Sequence, residues 1–246
     1  MFIRKILIQL LGFEKYLKFI SAVFINTFLN KIYLKAHYQV RFLSELVNPG
    51  DYCIDIGANL GYFTLPLSQL VGKKGKVFSV EPVALFRGVL LENSMKYGKG
   101  NIEIFPYALG DDNHKKIKMG TPSVEGVVRH GRTQVLEEEK QTAENSFVHE
   151  VEMRNPISLF GDLERLDFVK CDVEGYELHI LPHLLPLFEK YHPILEIEAG
   201  PKENKAQIME WMLPIGYKVF YMEEGKLKAF DLAMEGIEEL YFLNKK

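Results

Sequence analysis

The chain has 246 residues, 47% of them hydrophobic, which is enough apolar material for one large α/β domain with an appendage. A formal net charge of −3 and a pI near 6.2 argue against a dedicated nucleic-acid binder, which carries a basic face. The two cysteines, Cys53 and Cys171, sit inside apolar runs, so buried free thiols in a reducing, cytoplasmic setting are expected rather than a disulfide framework.

Residues 1–30 are rich in Ile, Leu and Phe, but Glu14, Lys15 and Lys18 interrupt the run. It therefore falls short of a membrane span, and no small-residue cleavage site marks a signal peptide. Ile3, Ile6, Leu7, Leu10, Leu17, Ile20, Phe24 and Phe28 recur at helical spacing, with Arg4, Lys5, Gln9, Lys15 and Lys18 mostly between them. The pattern predicts one or two amphipathic helices, broken near Gly12. Such helices either pack on the domain or a second subunit, or lie in a membrane interface. Glu14 and the lack of a Trp anchor favour packing. A further helix is expected over 35–47, closed by the turn Asn48-Pro49-Gly50-Asp51. Residues 1–47 thus read as a helical extension and 48–246 as the main domain.

Strand patterns at 52–56, 76–80, 102–105, 167–172 and 193–198 alternate with helical ones at 62–71, 84–97, 177–190 and 203–213. Alternation of this kind predicts parallel βαβ units with helices on both faces of the sheet. After Pro214-Ile215-Gly216, strands at 217–222 and 239–243 have no helix between them, which predicts a C-terminal antiparallel hairpin closing the sheet. Residues 111–157 break the alternation. They carry Gly120-Thr121-Pro122, Gly126, Gly131 and the acidic run Glu137-Glu138-Glu139, with short strands at 115–118 and 147–153. An insertion at about 112–150, between the third and fourth parallel strands, is placed to fold over the carboxyl ends of the sheet.

The chemistry-bearing segment is Asp55-Ile56-Gly57-Ala58-Asn59-Leu60-Gly61, followed by Tyr62-Phe63-Thr64 opening a helix. Strand, glycine turn, helix, strand and carboxylate form the layout of a nucleoside-cofactor site, for a dinucleotide or for S-adenosylmethionine. Gly57 and Gly61 leave room for a ligand, and the helix amides beyond Gly61 can receive an anion. Asp55 can accept from a ligand ammonium or nearby amides, and Glu81, fixed by Pro82, from two ribose hydroxyls. Asp172 and Glu174 end the fourth strand in Lys170-Cys171-Asp172-Val173-Glu174-Gly175-Tyr176-Glu177 and face the ligand crevice. Lys170 is equally an ion-pair partner of one of them or a catalytic group. Glu196 and Glu198 share a strand face, and Asp172 with one of them suits Mg²⁺, although a metal is not favoured. His179 and His183 read as an exposed helix face. His130, between Arg129 and Arg132, reads as a solvated loop residue unless it meets an anionic or hydroxylated substrate.

The blocks Asp55-Ile-Gly-Ala-Asn-Leu-Gly-Tyr-Phe-Thr64, Val80-Glu81-Pro82, Tyr107-Ala-Leu-Gly-Asp111, Phe168-Val-Lys-Cys-Asp-Val-Glu-Gly-Tyr-Glu177 and Ile194-Leu-Glu-Ile-Glu198 resemble the FkbM-type methyltransferases over residues 48–200. The resemblance implies a Rossmann-like class I fold with S-adenosylmethionine as methyl donor. It also implies O-methylation of sugars, glycans or natural-product-like acceptors. By that likeness Gly57, Asn59 and Gly61 line the methionine part, with Tyr62 beside them. Glu81 and Pro82 hold the ribose, Ala108 and Leu109 the adenine, and Asp172 and Glu174 border the reacting methyl. Cys171 departs from the aliphatic residue usual there.

An NAD-dependent oxidoreductase is the nearest rival, but its turn needs a middle glycine where this chain has Asn59. A non-catalytic binding module keeping the fold is the other. Asp172 is the first candidate for general base and Glu174 the second. The expected partners are a small-molecule or glycan substrate and no nucleic acid. The N-terminal helices are left to a homo-oligomer or to peripheral membrane contact.

Overall fold

The computed structural model describes residues 2–33, 37–124, 127–136 and 146–244. Gly126, the run Glu137–Glu139 and the first two residues of the expected 35–47 helix lie outside them. The chain opens with helices α1 (Phe2–Leu11) and α2 (Phe13–Leu29), broken at Gly12 (φ +77°), then α3 (Tyr38–Leu46). Leu17, Ser21 and Ile25 recur every four residues along one face of α2 and are fully buried. Leu17 and Ile25 join the cores around Leu60, Phe86 and Leu65, and Ser21 Oγ accepts from Asn93 Nδ2 at 3.0 Å, so α2 is part of the domain's packing.

The alternating units follow: β1 (Tyr52–Ile56), α4 (Thr64–Val71), β2 (Lys76–Val80), α5 (Ala84–Tyr97) and β3 (Ile102–Phe105). The insertion holds β4 (Ala108–Leu109), β5 (Lys116–Val124), β6 (Val127–Val128), a 3-10 turn at His130–Arg132, β7 (Gln134–Val135) and β8 (Ser146–Arg154). After α6 (Pro156–Phe160) come β9 (Phe168–Cys171), α7 (Glu177–Tyr191), β10 (Ile194–Glu198), α8 (Lys202–Met212), β11 (Tyr217–Glu223), β12 (Lys226–Ala229) and β13 (Glu239–Asn244).

The eight-stranded sheet runs β12-β11-β13-β10-β9-β1-β2-β3. It is parallel from β3 to β10, and β13, β11 and β12 are antiparallel. The two expected C-terminal strands pair with each other, but β13 inserts between β10 and β11. The edge is formed by β12, a hairpin partner of β11 that the sequence pattern missed because it is short and mostly exposed.

Two boundaries and one short helix differ from the sequence reading. The helix expected from residue 62 begins at Thr64, leaving Tyr62 and Phe63 in the preceding turn. The insertion is a second sheet of order β4-β8-β5-β6, with β7 also on β5; its long antiparallel pair, β5 and β8 of nine residues each, carries it to Arg154 rather than 150. Charged residues alternate with apolar ones at Lys116 and Lys118 of β5 and at Glu150, Glu152 and Arg154 of β8, while Gly120-Thr121-Pro122 interrupts the strand pattern of β5. The five-residue α6, capped by the Asn155 side chain on Ile157 N with Pro156 at its start, is too short to show a period.

Register places Ser79, Asp55, Lys170, Glu196 and Tyr241 side by side across five strands, all buried. Their alternate neighbours, Ile54, Val169 and Leu195, face the larger core under α6–α8. Cys53 and Cys171 are free, buried thiols on these strands.

Candidate active site

A cleft of about 1000 Å³, open mouth included, lies at the carboxyl ends of β1, β2 and β9. Asp55, Gly57, Asn59, Tyr62, Glu81, Pro82, Ala108, Leu109, Asp172 and Glu174 all line it. Gly61 does not. An added Cβ there would meet the side chains of Leu65 and Leu90, so this glycine serves helix packing behind the turn.

The turn after β1 is pinned to the end of β2. The Gly57 and Ala58 amides donate to the Val80 carbonyl at 3.1 and 3.0 Å, and the Asn59 amide to Glu81 Oε2 at 2.9 Å. Asn59 adopts φ +50°, a left-handed conformation that Asn tolerates. The Val83 amide donates to Glu81 Oε1 at 2.8 Å. Glu81 is buried, and burial pushes its carboxyl up to about 7 against the pull of the two amides. Asp55 is less available than the sequence suggested, because its Oδ2 accepts from Thr64 Oγ1 at 2.6 Å. Burial raises its pKa despite the nearby Lys170 charge.

Lys170 is buried at 4% exposure. Its Nζ donates to Asp172 Oδ2 at 2.6 Å and lies 4.4 Å above the Phe63 ring centroid. Burial opposes its charge, but Asp172, Glu196 and Asp55 outweigh it and the pKa is raised, so the ammonium persists. Burial likewise opposes the Asp172 charge, yet Lys170 and the neighbouring Glu198 hold its pKa low. Burial and the Asp172 charge push Glu198 up. Burial, then the Asp172 charge, brings Glu174 to about 7. Carboxylate oxygens of Asp172, Glu174 and Glu198 lie within 4.8 Å of one another, the one converging set of this kind among the described residues. Glu174 has φ +54° and Gly175 φ +96°, and Glu177 Oε1 holds this turn by accepting from the Val173 and Gly175 amides.

The insertion covers the carboxyl ends of the sheet as its place in the chain suggested, but most of the residues it brings there were not foreseen. Met119, Thr133 and Val135 of the insertion line the cleft, and His130 is largely buried rather than solvated. Its Nδ1 lies 3.0 Å from Asn59 Oδ1, and its carbonyl accepts from Asn59 Nδ2 at 3.0 Å. Burial, with Arg4 nearby, lowers its pKa to about 4, so the ring is neutral. His179 stacks on Tyr176 at 4.3 Å, and His183 Nδ1 meets Asn155 Nδ2 at 3.2 Å. A second groove, of about 1750 Å³ with its mouth, runs between β5 and the start of α7. It shares Val135, Glu174 and Tyr176 with the cleft.

These residues fit S-adenosylmethionine. Glu81 keeps lone pairs beyond those given to its two amides, which suits a ribose diol. Pro82, Phe86 and Leu109 offer apolar surface to a planar base, and Gly57, Asn59 and Asp172 a polar end.

Residues 55–219 match the family model described as the methyltransferase FkbM domain. No curated protein matches the chain. Among solved structures the chain is similar to a methyltransferase FkbM from Methylobacillus flagellatus KT, at 16% identity and TM-score 0.54, over 80% of this chain and 44% of that one. It thus spans less than half the length of that relative. It is also similar to an S-adenosylmethionine-dependent O-methyltransferase from Thermotoga maritima, at 14% identity and TM-score 0.49, over 90% of this chain and 71% of that one. A third is fibrillarin from Aeropyrum pernix, solved with natively bound S-adenosyl-L-methionine, at 12% identity and TM-score 0.46, over 80% and 68%. The sheet order, the helices on both faces and the likeness to the Methylobacillus protein make the fold a Rossmann-like class I methyltransferase fold. With the family model spanning more than half of its residues, the chain belongs to the FkbM family of S-adenosylmethionine-dependent methyltransferases.

Proposed function

We propose that the chain methylates a hydroxyl oxygen of a sugar, glycan or natural-product-like acceptor. The observation that carries this reading is the meeting of cleft and groove at Glu174, where a carboxylate titrating near neutrality stands beside the Lys170-anchored Asp172. When bound, S-adenosylmethionine supplies an electrophilic methyl for direct in-line transfer. Holding the acceptor oxygen in line supplies much of the rate. The remaining task is to take the hydroxyl proton.

The environments reorder the two candidate bases. Asp172 is held low by the ammonium on its Oδ2, so it is a weak base suited to orienting a hydroxyl. Glu174, at about 7, is matched to proton abstraction at neutral pH. The groove brings Tyr176 and His179, a stacked pair, and the amides of Gln134 and Asn204 to the acceptor side. A flat aromatic surface with hydrogen-bonding side chains suits a polyhydroxylated ring.

The test is a screen of donor consumption against sugars, glycolipids and small hydroxylated metabolites, with the product identified by NMR. A methyl ether is expected. Methylation of nitrogen or carbon alone would overturn the reading. With the acceptor in hand, Glu174→Gln should lower kcat by about 10²–10⁴ while leaving donor affinity unchanged.

A further inference from the structure

Helix α1 is turned the opposite way from its neighbour. Ile3, Ile6 and Leu10 share one face by helical spacing, and that face points to solvent, with Ile3 72% and Leu10 76% exposed. The other side of the helix holds Arg4, whose Nη2 donates to the Val128 carbonyl at 2.6 Å and whose guanidinium lies over the Tyr16 ring. On α2 the apolar stripe Leu17-Ile25 is buried, while Lys15, Phe19 and Val23, spaced by four, share an exposed outer face. Both helices therefore show apolar side chains outward.

Charge identifies what suits this surface. Residues 1–33 carry Arg4, Lys5, Lys15, Lys18 and Lys31 against the single acid Glu14, in a chain whose net charge is −3. The segment is cationic and the rest of the chain correspondingly acidic. A twofold contact through this face would bring two cationic segments together, which like-charge repulsion opposes. Anionic headgroups complement it.

We propose that helices α1 and α2 dock on an anionic lipid surface. Ile3, Ile6 and Leu10 enter the boundary between headgroups and acyl chains, and Lys5, Lys15 and Lys31 face the lipid phosphates. No described helix is long and apolar enough to cross a membrane, so the contact is interfacial. The Arg4 bond ties the docked helix to residues 127–136, which wall the donor cleft. The proposal is independent of the acceptor and of the base.

The full chain is floated with phosphatidylcholine vesicles, with and without phosphatidylglycerol. Binding is expected only with phosphatidylglycerol, weakened by salt. It should fall about tenfold or more in the double variant Ile3→Asp/Leu10→Asp. The triple variant Lys5→Gln/Lys15→Gln/Lys31→Gln, which leaves the apolar face intact, should also lose the preference for anionic vesicles. Circular dichroism and calorimetric S-adenosylmethionine binding, unchanged in both variants, show that the fold persists. Failure of the full chain to bind anionic vesicles overturns the proposal, as does equal binding by the folded double variant. A concentration-dependent dimer in sedimentation, abolished by Ile3→Asp/Leu10→Asp and without vesicle binding, would assign the face to a second copy instead.

Discussion

A Cβ on Gly57 would stand 1.9 Å from the carbonyl oxygen of Asp172. The two motif blocks are therefore locked together by backbone: β1 and β9 are neighbours, the Asp172 amide donates to the Ile56 carbonyl at 3.1 Å, and the chain leaving β1 passes directly over the chain leaving β9. Gly57 also has φ +85°. Gly57→Ala should cost about 2–5 kcal/mol, from the left-handed conformation and the overpacking together, and should abolish donor binding. Gly61→Ala meets only side-chain carbons of Leu65 and Leu90, beside its own strain at φ +93°. It should lower thermal stability but retain measurable S-adenosylmethionine affinity by calorimetry.

Glu81 trades stability for binding. Its folded pKa of about 7 lies above the ordinary value, so the folded state holds the proton longer. Stability is thereby lost as pH rises from about 4.5 to about 7. The thermal midpoint of Glu81→Gln relative to the parent should grow more favourable between pH 5 and pH 8. Donor affinity should fall about 10- to 100-fold, the loss of a charge-assisted bond. An unchanged dissociation constant would remove Glu81 from the donor site.

Lys170 is the counter-ion for a buried set of acids. Lys170→Met would leave Asp172, Asp55 and Glu196 without it and should cost about 3–5 kcal/mol at neutral pH. With the ammonium gone, the folded-state pKa of Asp172 rises, so the deficit is small near pH 4 and grows as pH increases. Urea unfolding at both ends of that range checks the sign. A deficit independent of pH would mean that lost packing on Phe63 dominates.

His130 closes the roof on Asn59 as a neutral ring. Because its folded pKa is about 4 against an ordinary 6.5, the protein should lose stability as pH falls through that window. His130→Ala should show less of that acid loss and faster hydrogen exchange over residues 127–136. Unchanged exchange would place the anchoring of this segment elsewhere.

Asp172 already receives the Lys170 ammonium, which would repel a dication bound by Asp172, Glu174 and Glu198. Methyl transfer should therefore survive exhaustive chelation. Loss of activity restored by Mg²⁺ would show that the three acids hold an ion after all.

Much of the cleft lining was legible from local signals. Glu81 at a strand end before Pro82, the Gly57 turn, and Asp172 with Glu174 before Gly175 are features of spacing and turn chemistry, and each lines the cleft. Gly61 was misread because a glycine that admits a ligand and one that admits a leucine look alike in sequence. His130 stood out only by its arginine neighbours, and Met119 and Val135 gave no signal, since they reach the cleft through the pairing of β5 with β7 and β8, which no local pattern reports.

By itself the sequence determined the alternation of strands and helices in the central sheet, the glycine turn and the acids at the strand ends, because these follow from residue periodicity and from what two or three adjacent residues allow. Only the tertiary structure decided why Gly57 must be glycine, which acids surround Lys170, and which way α1 turns its apolar face. Those depend on strand neighbours and register, which bring Asp172 onto Gly57 and Glu196 beside Lys170. They depend also on the packing of Arg4 against Val128 and Tyr16, a contact that no local pattern encodes.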